Sequence, residues 1–157
     1  MYDDVAAGAS HDCSRSFKGL VRRAQHLPAY ARLVHLGEER RAKFLSFASM
    51  LICTNDGFTG VDSIRLPKDV GDTVEVDSAG YDAGTELNTE DFADIVPPCQ
   101  ALVGVSSGEP GTGVSDAALA EGGVVHHHPG ISGGADLVPA VHGWTDPLSE
   151  ITVERVE

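Results

Sequence analysis

The chain has 157 residues, enough for one domain with a real core, and with 41% hydrophobic residues it offers no apolar window long enough to span a membrane. Its net charge of −13 is unevenly divided: residues 1–43 hold eight of the eleven Lys and Arg against five acids, whereas residues 44–157 hold Arg65, Lys68 and Arg155 against nineteen acids. The main body therefore repels nucleic acid and anionic membranes unless a cation intervenes, so no nucleic-acid partner is expected.

The opening Met1-Tyr2-Asp3-Asp4 has no basic stretch leading into an apolar run, so no signal peptide is read there. Residues 1–43 form an atypical basic segment, expected to be helical or disordered. Leu20, Val21, Ala24 and Leu27 lie on one rough helical face, Pro28 breaks it, and Ala29 to Leu36 continues it until Gly37.

From Phe44 the pattern becomes β. Phe44 to Cys53 is apolar on both faces, as a central strand would be. Val61 to Leu66 alternates, and Thr73 to Val76 is a short run of β-formers. Asn88 to Phe92 reads as a helix start capped by Thr89, with Pro97-Pro98 ending whatever follows. Ala101 to Val105 reads as a strand, Ala117 to Glu121 as one helical turn stopped by Gly122-Gly123, and Val124-Val125 as the start of a strand entering His126-His127-His128. The final alternation, Ile151 and Val153 on one face and Thr152 and Glu154 on the other, is a half-buried strand. Short strands joined by Gly-rich turns predict an all-β sandwich.

Cys13, Cys53 and Cys99 make an odd count. A Cys53–Cys99 bridge would tie two ends of the sandwich and contribute about 3–4 kcal/mol in an oxidising compartment, leaving Cys13 unpaired. The alternative is two buried thiols.

Two turns carry the chemistry. Asp56 lies in Asn55-Asp56-Gly57, and Asp82 and Glu86 bracket Ala83-Gly84-Thr85. Gly57 and Gly84 permit tight bends that expose backbone carbonyls, and three carboxylates from two loops suit calcium, a hard cation with six to eight oxygen ligands. Such turns are common, so spacing alone favours two solvated hairpins.

Leu45-Ser46-Phe47-Ala48-Ser49-Met50-Leu51 followed by Thr54-Asn55-Asp56-Gly57-Phe58-Thr59-Gly60 resembles the spondin domain, which carries a Ser-x-x-(Thr/Ser)-Met run into a Pro-Ser-x-Asp-Trp-Phe-x-Gly turn. Asp82-Ala83-Gly84-Thr85-Glu86 is similar to that family's Asp-Ala-Gly-Thr-Asp motif, and His128-Pro129-Gly130-Ile131 and Trp144-Thr145-Asp146-Pro147 resemble its C-terminal part. The resemblance covers roughly residues 44–157. It implies an antiparallel sandwich similar to calcium-dependent membrane-targeting modules, with Ca2+ held by Asp56, Asp82 and Glu86. It also implies an extracellular, secreted module of the adhesion type, akin to short bacterial members, with a protein or glycan partner at the cell surface or matrix. Gly57 stands where animal members have Trp, and Glu86 replaces Asp. Residues 1–43 do not resemble the family's opening strands, so the module is expected to be incomplete on its N-terminal side.

His126 and His128 alternate on one strand face, and with His142 they form the alternative site, a metal-dependent hydrolase. No carboxylate or cysteine stands at short ligand spacing from them. The chain has no Gly-x-Ser-x-Gly elbow, and Gly108-Glu109-Pro110-Gly111-Thr112-Gly113 has no Lys to make a phosphate cradle. No enzyme is expected. The remaining alternative is an incomplete domain with no independent function.

Overall fold

The computed structural model describes residues 16–22, 33–37, 43–104 and 111–156. The strands within them are β1 (Ser16–Arg22), β2 (Leu33–Gly37), β3 (Phe44–Met50), β4 (Gly57–Arg65), β5 (Thr73–Ser78), β6 (Gly80–Asp82), β7 (His126–His127) and β8 (Ser149–Arg155). Two short helices, α1 (Pro98–Val103) and α2 (Pro139–His142), and a 3-10 turn at Ala117–Leu119 lie between them. The strands form two antiparallel four-stranded sheets, ordered β2-β1-β8-β5 and β3-β4-β6-β7. The fold is thus predominantly antiparallel β with little helix, as the alternating pattern predicts. No helix among the described residues is long and apolar enough to cross a membrane.

The helix expected around Leu20 is instead β1, and Leu33–Gly37, the end of its expected continuation, is β2. β1 pairs with β8 from Phe17↔Arg155 to Arg22↔Glu150, so the strands on either side of residue 43 share one sheet. Helical spacing of a few apolar residues is a weak prior, and a long-range ladder outweighs it here. Residues 23–32, with Ala24, Leu27 and Pro28, and Cys13 lie outside the described residues.

β3 is an edge strand and not the central one, with Phe44 and Met50 exposed. Ala101–Val103 belongs to α1 and not to a strand. Pro98 occupies the first turn, where its missing N–H costs nothing, and Gly104 closes the helix in the left-handed conformation at φ 65°. No helix begins at Thr89; its Oγ1 accepts from Asp91 N–H in a local turn at 3.4 Å. Val124 and Val125 precede β7 as exposed loop.

One apolar cluster joins the two sheets: Ile151 and Val153 of β8 pack on Leu45 and Phe47 of β3, Val61 of β4 and Leu66. Nearby, the buried hydroxyl of Thr59 on β4 lies 3.0 Å from those of Ser78 on β5 and Ser149 on β8, so the polar groups are satisfied across the same gap. A second cluster holds Phe92, Ile95, Cys99 and Leu137, with Ile52, Cys53, Val96 and Ile131 around it. Cys53 and Cys99 are disulfide-bonded across a separation of 46 residues, a closure that stabilises by about 4 kcal/mol in the chain-entropy picture.

Candidate metal centre

The turn between β3 and β4 is locked by its own side chains. Thr54 Oγ1 donates to Leu51 carbonyl at 2.6 Å and accepts from Gly57 N–H at 2.9 Å. Asn55 Oδ1 accepts from Thr89 N–H at 3.2 Å. Because Gly57 stands opposite Asp82 in the β4–β6 ladder, the preceding residue, Asp56, reaches the turn that follows β6. There Asp56 Oδ2 accepts three bonds: Thr85 N–H at 2.7 Å, Thr85 Oγ1 at 2.6 Å and Glu86 N–H at 2.9 Å. Its other oxygen, Oδ1, is buried with no hydrogen-bond partner. The two acidic turns therefore meet.

Asp82 has no exposed surface. Its Oδ1 accepts from Gly84 N–H at 2.7 Å, and its Oδ2 from the Asn88 side-chain amide. Burial pushes this carboxyl up, but the bonds from Asn88 and Gly84 and the nearby imidazoles of His126 and His128 more than offset it and hold it below the usual range. Gly84, at φ 71°, lies so close to the 123–124 backbone that a Cβ there would stand 2.6 Å from Val124 N. Gly123 N–H to Gly84 carbonyl at 2.8 Å and Leu87 N–H to Leu119 carbonyl at 2.8 Å seal the loop against residues 119–124.

β7 brings the histidines. His126 is directly opposite Asp82, its Nε2 3.8 Å from Asp82 Oδ2 and its Nδ1 3.0 Å from Val124 carbonyl. The Val124 bond first, and the Asp82 charge next, raise this exposed imidazole above its ordinary value. His128 packs edge-on against Trp144 with ring centroids 5.0 Å apart. Its Nδ1 accepts from Gly130 N–H at 3.0 Å, which puts the proton of the neutral ring on Nε2, buried without a partner. Burial pushes its pKa down. Trp144 in turn needs Gly80, where a Cβ would lie 2.6 Å from its indole nitrogen.

His142 stands apart from this group. It is buried on α2, edge-on to Phe92, with Cys53 and Cys99 beside it. Neither His126, His128 and His142 nor Asp56, Asp82 and Glu86 draw three ligand atoms within 4.8 Å of one another; among the described residues only Cys53, Cys99 and His142 do. What the acidic turns offer is a hard, anionic oxygen set with one orphaned carboxylate oxygen, the donor chemistry that suits calcium.

Sequence reasoning placed Asp56 beside the Asp82 turn but missed Asn88 and the pairing of His126 with Asp82. The former carried no signal beyond its nearness to Glu86. The latter depends on a two-residue strand far downstream of β6, whose register no local pattern announces. Glu90 was missed as well. It is buried at φ 59°, and its carboxylate accepts from Ser132 N–H at 2.6 Å, Gly133 N–H at 2.7 Å and Gly134 N–H at 2.8 Å. In comparisons with protein-family models, with curated proteins and with solved structures, nothing matched this chain.

Proposed function

We propose that this chain is a non-enzymatic binding module of the spondin type, a β-sandwich in which calcium joins two acidic loops through Asp56, Asp82 and Glu86. The observation that carries the reading is Asp56 Oδ1, a buried carboxylate oxygen without a hydrogen-bond partner beside a second buried carboxylate, Asp82. A buried carboxylate oxygen left without a partner is costly, and a divalent cation is a direct way to offset it. The packing of β8 on β3 and β4 supports the sandwich, and the Cys53–Cys99 bond supports an oxidising, extracellular setting. The ion's role is to hold together loops that otherwise repel, presenting them to a protein or glycan at a cell surface or matrix. The hydrolase alternative lacks a convergent histidine trio.

The test is a thermal melt of the chain with calcium and with chelator, alongside Asp56→Asn. That substitution keeps an oxygen for Thr85 and Glu86 while removing the charge. Calcium at a hundredfold its Kd adds about 2.7 kcal/mol, so the parent should melt higher in calcium and the variant should not. A parent melt indifferent to calcium overturns the reading.

A further inference from the structure

One face of the sheet β3-β4-β6-β7 is turned away from the other sheet and carries a row of rings. Thr59 and Val61 of β4 point toward β5 and β8, so Phe58 and Gly60, which alternate with them, point outward. Directly opposite partners share a face, and the register runs Met50↔Phe58, Phe58↔Tyr81 and Tyr81↔His127, one residue from each strand. Ring centroids are 5.6 Å apart from Phe58 to Tyr81 and 5.1 Å from Tyr81 to His127, with interplanar angles of 32° and 41°. Met50 and His127 are exposed, and the two rings between them are half-buried. Beside the row, Ala48 stands opposite Gly60, which leaves a shallow trough. Its far wall is polar. A bulge sets Asp62 and Ser63 against the single residue Ser46, and Ser63 takes φ 56°, a left-handed angle that a serine adopts at a cost. Ser46 Oγ donates to Asp62 Oδ1 at 2.6 Å and accepts from Ser63 N–H at 2.9 Å, and Ser63 Oγ donates to Asp62 Oδ1 at 3.1 Å. The hydroxyls of Ser46 and Ser63 hold the exposed Asp62 carboxyl below its ordinary value.

We infer that this face binds a neutral glycan, whose sugar rings stack along Phe58, Tyr81 and His127 and whose hydroxyls donate to Asp62. The inference rests on the reading of the chain as a binding module and names its partner class. A pyranose ring presents a weakly positive C–H face to the negative face of an aromatic ring, and its rim hydroxyls suit a carboxylate. Three rings on strands about 4.8 Å apart span about 10 Å, room for more than one sugar. Charge excludes the anionic classes. The nineteen acids of residues 44–157, against Arg65, Lys68 and Arg155, repel uronate, sulfate and phosphate groups but not an uncharged chain. A peptide strand is matched less well, because backbone groups of β4 and β6 are engaged in ladders on both sides and this face offers side chains. The adjacent register row, Gly57↔Asp82 and Asp82↔His126, lies on the opposite face of the same strands. The rings and the acidic turns therefore share strands without sharing residues.

The test is isothermal titration of the full chain with neutral hexasaccharides of glucose, mannose, xylose and N-acetylglucosamine, with heparin as the anionic comparison, in calcium and in chelator. At least one neutral hexasaccharide should bind, and heparin should not. Tyr81→Ala and His127→Ala should each weaken that binding about tenfold, and Asp62→Asn about threefold or more. Val114→Ala, exposed in the loop after α1, should leave it unchanged. His127 and Asp62 are exposed, so their variants carry the test if circular dichroism shows that Tyr81→Ala fails to fold. Binding of none of the neutral glycans, a preference for heparin, or binding unchanged in both His127→Ala and Asp62→Asn overturns the proposal and leaves the face to a protein partner. A chain that binds the glycan but melts indifferently to calcium sinks the calcium reading alone. A chain stabilised by calcium that binds no neutral glycan sinks this one alone.

Discussion

Glu90→Gln isolates one buried charge. The substitution keeps the side chain's shape and the unusual backbone angle, so the comparison reads the carboxylate alone. In the parent, three backbone N–H groups from Ser132, Gly133 and Gly134 converge on the two carboxylate oxygens at 2.6–2.8 Å in a site 7% exposed. A glutamine can turn its single oxygen toward Gly133 and Gly134, but its NH2 group then faces Ser132 N–H, leaving one donor unsatisfied and two bonds without charge assistance. Hydrogen bonds to charged groups contribute about 1.5–3 kcal/mol each, and a buried unsatisfied donor costs about 1–3 kcal/mol, so a loss of about 3–5 kcal/mol is expected. The assay is urea unfolding near pH 7, repeated toward acid. Burial raises the Glu90 carboxyl, but the bonds from Ser132, Gly134 and Gly133 together outweigh it and bring it below its ordinary value of 4.5. A carboxyl depressed in the folded state stabilises fully above its unfolded value and loses that contribution as pH falls through the folded one. The gap between parent and variant should therefore hold at neutral pH and narrow below about pH 4.5. A loss under about 1 kcal/mol near neutrality, or a gap unchanged in acid, would refute the assignment of Glu90 as the anionic strut of this loop.

Ile151→Ala, in the cluster that joins the sheets, should cost about 2–5 kcal/mol by urea melt, whereas the exposed Val124→Ala should stay within about 0.5 kcal/mol. Gly84→Ala forces a Cβ into the 123–124 backbone at a left-handed φ and should cost about 1–3 kcal/mol. Amide exchange at Gly123, whose N–H bonds to Gly84 carbonyl, should accelerate, and unchanged protection there would mean that the loop contact is not rigid.

How much was legible depended on how local the cause was. The alternation of Ile151 and Val153 marks β8 because burial of one face is written at every second residue. The meeting of the two acidic turns was expected only through the resemblance, since turn chemistry alone describes two solvated hairpins, and the Cys53–Cys99 bond was one of two readings of three cysteines. β1 was not readable, because Leu20 and Val21 are apolar without marking a sheet face, and the strand exists by virtue of a partner at the other end of the chain. α1 was misread because Ala101 to Val103 suits either element; the deciding feature was Pro98, taken as a terminator when it sits at a helix start. Glu90 looked like one more surface acid, since the Ser132-Gly133-Gly134 cradle that buries it lies some forty residues away.

β8 sits between β1 and β5, with Val153 opposite Gly19 on one side and Val74 on the other. During synthesis, neither neighbour in that sheet can find its central partner until the segment from Ser149 onward has emerged. The β3–β4 hairpin, whose strands are separated by a short turn, can form earlier at little loop-closure cost. Chain order thus imposes a timetable: one sheet begins early and the other waits for the last strand, with the apolar faces of β3 and β4 uncovered meanwhile. A release from the ribosome before residue 149 leaves those faces open to any other strand nearby.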